Sequence, residues 1–83
     1  MNFIKEDGRI YLEDENKNVI ASVTFSKTDN NIYDINHTFV DPKLRGQGIA
    51  SKLVEEAVKY IESKDCDVTA SCSYAKNWLD KNK

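Results

Sequence analysis

The chain has 83 residues, of which 40% are hydrophobic, and a formal net charge of −2 at pH 7. That length holds one domain, expected over residues 1–83, and a domain so short buries only about 60% of the surface its unfolded chain exposes. A bound ligand or partner therefore has a marked effect on its stability. Lysines alternate with acids and no basic stripe forms, which argues against nucleic acid or an anionic membrane as a partner. No apolar run reaches the length of a membrane span, and the start, Met1 to Glu6, lacks the charged and apolar regions of a signal peptide. The expected location is cytoplasmic.

The first half predicts antiparallel strands. Phe3–Glu6 and Arg9–Glu13 flank Asp7-Gly8, a dipeptide favoured in tight hairpin turns. After the polar turn 14–18, Val19, Ala21, Val23 and Phe25 alternate with Ser22, Thr24 and Ser26, with Ile20 as the exception. Asp29-Asn30-Asn31 turns the chain again. The next strand, Ile32–Val40, is expected to carry Tyr33, Ile35, His37 and Phe39 on one face and Asp34, Asn36 and Thr38 on the other.

At Asp41-Pro42 the period changes, and Gly46 and Gly48 mark a loop. Ile49, Leu53, Val54, Ala57, Val58 and Ile61 then recur at helical spacing through about Lys64, with Glu55 and Lys59 placed as a supporting pair. Asp65 ends this helix. A strand over 66–71 follows, and Ser71 or Ser73 is the expected cap of a final helix that turns Ala75, Trp78 and Leu79 inward. The order is β-β-β-β-α-β-α: an α/β fold with a mostly antiparallel, curved sheet of about five strands and one long and one short helix. The strands on either side of the long helix should be parallel, and strand 66–71 should form a sheet edge.

Cys66 and Cys72, if the segment between them is extended, stand about 20 Å apart, too far for a disulfide. They also lack the spacing of a zinc site, and no metal is expected. Cys66 reads as packing.

The loop between strand and long helix has a specific physical use. A helix's first turn leaves backbone N–H groups without intrahelical partners, the helix dipole adds positive potential, and glycines allow close approach of an anion. Here the loop is Arg45-Gly46-Gln47-Gly48-Ile49-Ala50. Two other phosphate-binding patterns fail: position 51 is serine rather than the last glycine of Gly-x-Gly-x-x-Gly, and no Gly-Lys-Ser/Thr occurs.

The segment from Val40 to Leu53 resembles the acetyl-CoA signature of the GNAT acetyltransferase superfamily, Arg/Gln-x-x-Gly-x-Gly/Ala, at Arg45, Gly48 and Ala50. The likeness extends over residues 19–83 and narrows to very small GNAT-like proteins with His-Thr before the loop (His37-Thr38) and Cys-Ser-aromatic after the next strand (Cys72-Ser73-Tyr74). It implies acetyl-CoA or CoA as cofactor, with Arg45, Gly46, Gln47, Gly48, Ile49 and Ala50 around the pyrophosphate. Backbone groups of Phe39 and Val40 would pair with the pantetheine arm, and the thioester would enter between strands 32–40 and 66–71. The implied activity is transfer of an acetyl group to an amine, borne by a small molecule or a protein, by a monomer or weak dimer.

Two departures qualify the resemblance. Full-length relatives carry further helices and strands that build the acceptor site. Many also carry Asn-x-x-Ala-x-x-Phe-Tyr in the last helix, where the tyrosine protonates the leaving thiolate; here Cys72, Ala75, Trp78 and Leu79 fall on those positions. Cys72 is the candidate nucleophile or proton donor, since a helix N-terminus lowers a thiol pKa; the competing role is packing. His37, the only histidine, is a candidate base on a strand neighbouring Cys72, or else a core residue bonded to a carbonyl. Tyr74 is a candidate acid, or packing. The alternatives to an enzyme are a non-catalytic acyl-CoA-binding or sensing module, and a strand-pairing adaptor without cofactor.

Overall fold

The computed structural model describes residues 2–82; Met1 and Lys83, the outermost positions of the expected 1–83 domain, lie outside the described residues. Four strands, β1 (Ile4–Glu6), β2 (Arg9–Glu13), β3 (Val19–Asp29) and β4 (Ile32–Val40), lead through a short 3₁₀ turn (Pro42–Leu44) into the long helix α1 (Ile49–Glu62). A strand β5 (Asp67–Ala70) and a last helix α2 (Ser73–Asn82) follow, giving the expected order. The five strands form one sheet in the order β1-β2-β3-β4-β5, antiparallel as far as β4 and parallel between β4 and β5, so β5 is an edge strand.

Both helices are part of one core on one face of the sheet. Ile10, Val23, Ile35, Leu53, Val54 and Ile61 are its fully buried large side chains, with Ala75 of α2 joining them. The apolar stripe of α1 is the one its 3.6-residue spacing predicts. Its outer face differs in one detail. Lys59 reaches Glu56 (3.8 Å), which Lys5 of β1 also holds at 2.8 Å, rather than Glu55.

Helix α1 closes at Ser63, and Asp65 takes the left-handed conformation (φ 60°) that lets the chain leave; Cys66 N–H then donates back to the Ile61 carbonyl. Helix α2 corrects the expected cap. Lys76 N–H donates to the Cys72 carbonyl at 2.9 Å, so Cys72 is the cap, while the Ser71 hydroxyl turns away to Asp34 Oδ2 at 2.6 Å. Cys66 is buried, both cysteines are free thiols, and the expectation that they do not pair holds.

Two of the register shifts in the sheet reset the alternation that the sequence predicts near the site. On β3, Glu13 faces Val19 and Leu12 faces Ala21, so Ile20 packs against the core and Val19 is left exposed. On β4, Thr24 faces His37 and Phe25 faces Ile35, leaving Asn36 as the extra residue. Past this point every side chain of β4 changes face. Thr38 and Val40 lie opposite the buried Val23 and Ala21, whereas His37 and Phe39 point to the outer face and are exposed. The expected common face for Ile35, His37 and Phe39 is thus overturned, and so is a core histidine. The bulge is held on the outer face by the Asn36 amide, which accepts from the Thr24 hydroxyl (2.6 Å) and donates to Ser26 Oγ (3.0 Å).

Candidate functional site

Strand β5 accompanies β4 only from Ile32↔Asp67 to Ile35↔Ala70. Beyond it, Ser71 and Cys72 both donate their N–H to the single carbonyl of Ile35, and the chain turns off into α2. The second half of β4 therefore has β3 on one side and a gap on the other. Asp41 N–H donates to the Ile20 carbonyl, which makes Asp41, Phe39 and His37 the positions bonded to β3 in an alternating antiparallel ladder. The N–H and C=O groups of Thr38 and Val40 face the gap instead. The backbone of Phe39 is bonded to β3, so of the two residues expected to pair with a ligand strand only Val40 faces the gap, with Thr38 beside it.

A cavity of about 320 Å³ occupies this gap, walled by Thr38 and Val40 of β4, Leu44 to Gly46, Gly48 to Ala50 at the start of α1, and Tyr74 of α2. Gln47 lies on the other side of the loop, beside a second hollow with Leu12, Ile20 and Leu44. The loop backbone follows from its residues. Gly46 (φ 86°) and Gly48 (φ 73°) hold left-handed conformations, and a Cβ built on either meets open space, so both present bare backbone to the cavity.

Gly48 is also the N-cap of α1 and has no side chain to satisfy the first-turn amides. Arg45 N–H is bonded to the Pro42 carbonyl and Lys52 N–H to the Gly48 carbonyl; the amides between them have no carbonyl one helical turn back within α1. The result is a cluster of donors with the positive end of a 14-residue helix behind it, opening on a cavity. This donor set fits a pyrophosphate.

Cys72 stands at the inner end of the same gap. Its Sγ lies 3.7 Å from the Thr38 hydroxyl. Burial pushes the thiol pKa up, but the Ala75 N–H, the Thr38 hydroxyl and the N–H groups of Tyr74 and Thr38 together bring it below the ordinary thiol value. The thiol acts as the helix cap that serine or aspartate supplies elsewhere.

Of the sequence candidates, Val40, Arg45, Gly46, Gly48, Ile49, Ala50 and Tyr74 wall the cavity, and Cys72 adjoins it through Thr38. His37 is not among them and faces away from Thr38 across the strand. The sequence reading missed Thr38 and Leu44. The available signals were the His37-Thr38 pair of the family likeness and the adjacent polar residues Asn36-His37, which interrupt an alternating strand. Tyr74 is 41% exposed at the mouth of the cavity, and Trp78 ties α2 to α1 by donating Nε1–H to Ser51 Oγ at 3.0 Å. Among the described residues no group of histidine, cysteine and acidic side chains is placed to hold a metal, and no helix is long and apolar enough to cross a membrane.

A sheet splayed beside a helix N-terminus, with a glycine loop at the mouth, defines an α/β fold of the GNAT type. The family model of the GCN5-related N-acetyltransferases matches residues 9–83. The chain belongs to this family. A GCN5-like protein of Staphylococcus aureus, solved in solution by NMR, is 34% identical over 96% of this chain and 78% of its own, with a TM-score of 0.78. YhbS of Escherichia coli, a GNAT family N-acetyltransferase crystallised with CoA, is 28% identical over 70% of this chain and 35% of its own, with a TM-score of 0.62. A larger GNAT family acetyltransferase of S. aureus shares the fold at 17% identity, over 89% of this chain and 49% of its own, with a TM-score of 0.70. The chain thus spans less than half of each of these two larger proteins. No curated protein sequence matches it.

Proposed function

We propose that this domain binds acetyl-CoA in the β4–β5 gap and transfers the acetyl group to an amine through Cys72. The observation that carries the reading is the convergence of two features on one gap: free amides at the start of α1, and a thiol capping α2. The amides of residues 46–51 would hold the pyrophosphate, with Arg45 beside them, and Thr38 and Val40 would offer main-chain groups to the pantetheine arm. Bound acetyl-CoA supplies an acetyl thioester.

Cys72 would react as the thiolate, its proton passed to solvent, with Sγ bonding to the acetyl carbon as the bond from that carbon to the CoA sulfur breaks. Tyr74, which walls the cavity, would give the leaving sulfur a proton and regain one from solvent. An incoming amine then bonds to the acetyl carbon, Cys72 leaves as thiolate, and the amine nitrogen loses one proton. Holding the reactants in contact supplies much of the rate. The open side of the β4–β5 gap favours an amine presented by another molecule. The Cys-Ser-aromatic motif at 72–74 would then mark the group of small relatives that work in this way.

A second reading, an acyl-CoA-binding module without turnover, is favoured by Leu79. Where many relatives place a tyrosine, this chain packs a leucine against the core. Intact-mass measurement after incubation with acetyl-CoA separates the two readings. One acetyl group on Cys72, lost on adding an amine, supports transfer; binding with no adduct and no acetylated amine supports the module. Calorimetry with Gly48→Glu tests the loop, because a carboxylate there would enter the pyrophosphate space. Unchanged affinity in that variant would rule out the cofactor site.

A further inference from the structure

We infer that Thr38 is the positioning residue of Cys72: its hydroxyl donates to the thiolate and keeps Sγ turned toward the β4–β5 gap. The inference deepens the proposed transfer and rests on the reading that Cys72 receives the acetyl group.

Three observations support it. The bulge at Asn36 puts Thr38, and not His37, on the inner face of β4. There its Oγ1 comes within 3.7 Å of Cys72 Sγ while the residue also walls the cavity. The alternating ladder turns the Thr38 N–H to the same side, so side chain and main chain of one residue address one sulfur.

A thiol at a helix cap already receives the amides of α2, which approach it from its own helix. Thr38 reaches it from the facing strand. A β-branched side chain in a strand has few rotamers, so the hydroxyl is held where the sulfur needs a donor. Threonine also completes the charge balance. In the thiolate form Sγ accepts hydrogen bonds only, and the hydroxyl can rotate to donate; in the neutral form the hydroxyl can accept from S–H. The contact therefore persists through both states and favours the charged one.

The test is the pH dependence of Cys72 alkylation by iodoacetamide in the intact chain, with the modified peptide identified by mass so that Cys66 does not contribute. Thr38→Val keeps the shape and removes the hydroxyl, and its alkylation midpoint is expected to rise by about one pH unit. Thr38→Ser should stay near the wild-type midpoint. Should the valine variant not fold, Thr38→Ala removes the same hydroxyl and is read in the same way. An unshifted midpoint in the folded valine or alanine variant would overturn the assignment, as would a serine variant that behaves like valine. The readout needs no acyl-CoA, so it is separate from the transfer reading: a wild-type chain that never acquires an acetyl group would end that reading while leaving the midpoint shift in place.

Discussion

Trp78 donates its indole N–H to the hydroxyl of Ser51 across 3.0 Å, joining the second turn of α2 to the first turn of α1. The two helix starts that wall the cavity are thereby held in one geometry: the amides of α1 on one side, the cap of α2 on the other. Trp78→Phe keeps most of the apolar contact and removes the donor. The expected loss is about 1 kcal/mol, because the partly buried Ser51 hydroxyl can turn to water. Urea unfolding followed by far-ultraviolet circular dichroism reads it; tryptophan fluorescence cannot, since this is the only tryptophan. CoA affinity should also fall if the cavity loosens.

The short strand β1 is anchored to α1 by Lys5 and Glu56, 2.8 Å apart. The hydrogen bond from Lys5 lowers the Glu56 pKa, burial opposes it, and the charges of Lys5, Lys59 and Lys52 add to the lowering. A carboxylate with a depressed folded pKa contributes stability above its unfolded pKa and loses it as pH falls through the folded value. Stability should therefore drop below about pH 4.5. In Glu56→Gln this part of the acid dependence should vanish, at a cost of up to about 1 kcal/mol at neutral pH. Thermal melts of both proteins between pH 7 and pH 3 check it.

A second tie runs from the hairpin turn. Asp7 Oδ1 accepts from the hydroxyls of Tyr33 (3.3 Å) and Tyr60 (3.4 Å), and Lys64 Nζ stands 3.7 Å away. Burial, followed by the negative charge of Asp7, raises the Tyr33 pKa above the usual phenol value. A raised phenol pKa means the folded state keeps its proton longer. The associated stability is present below about pH 10 and is lost as pH climbs through the folded value. In a residue-resolved NMR titration the Tyr33 phenol should lose its proton above the ordinary phenol range, and Asp7→Asn should bring it part of the way down. A Tyr33 titration unmoved by Asp7→Asn would contradict this tie.

The glycine loop makes a separable prediction. Gly48 is left-handed at φ 73°, yet a Cβ there meets nothing within 4 Å. Gly48→Ala should thus cost about 1–2 kcal/mol of stability through backbone conformation alone, without a clash. It should weaken CoA binding by more than the stability change explains, since the added methyl faces the anion's space. The rise in melting temperature with excess CoA, corresponding to about 2.7 kcal/mol at a hundredfold the dissociation constant in wild type, should shrink in the variant. Equal shifts in the two proteins would disconnect Gly48 from the ligand.

Much of this was legible in the residues. The stripe from Ile49 to Ile61 specifies α1 because helical spacing depends only on local geometry, and the glycines at 46 and 48 announce a loop because few other residues accept positive φ. Cys72 at a strand-to-helix junction was likewise visible. The face of His37 was not. Strict alternation places it inward, and only the pairing of β4 with β3, which leaves Asn36 over, turns it out and Thr38 in. The cap of α2 was missed for a similar reason, because Ser71 finds Asp34 on the neighbouring strand.

The sequence by itself determined the order of the elements, the stripe of α1 and the loop that opens it, since each is set by dihedral preference and by contacts a few residues apart. The tertiary structure alone decided which side of β4 faces the gap, where β5 lets go of it, and which hydroxyl meets the thiol. Those depend on register between strands distant in the chain, and a single unpaired residue in a ladder inverts every side chain beyond it.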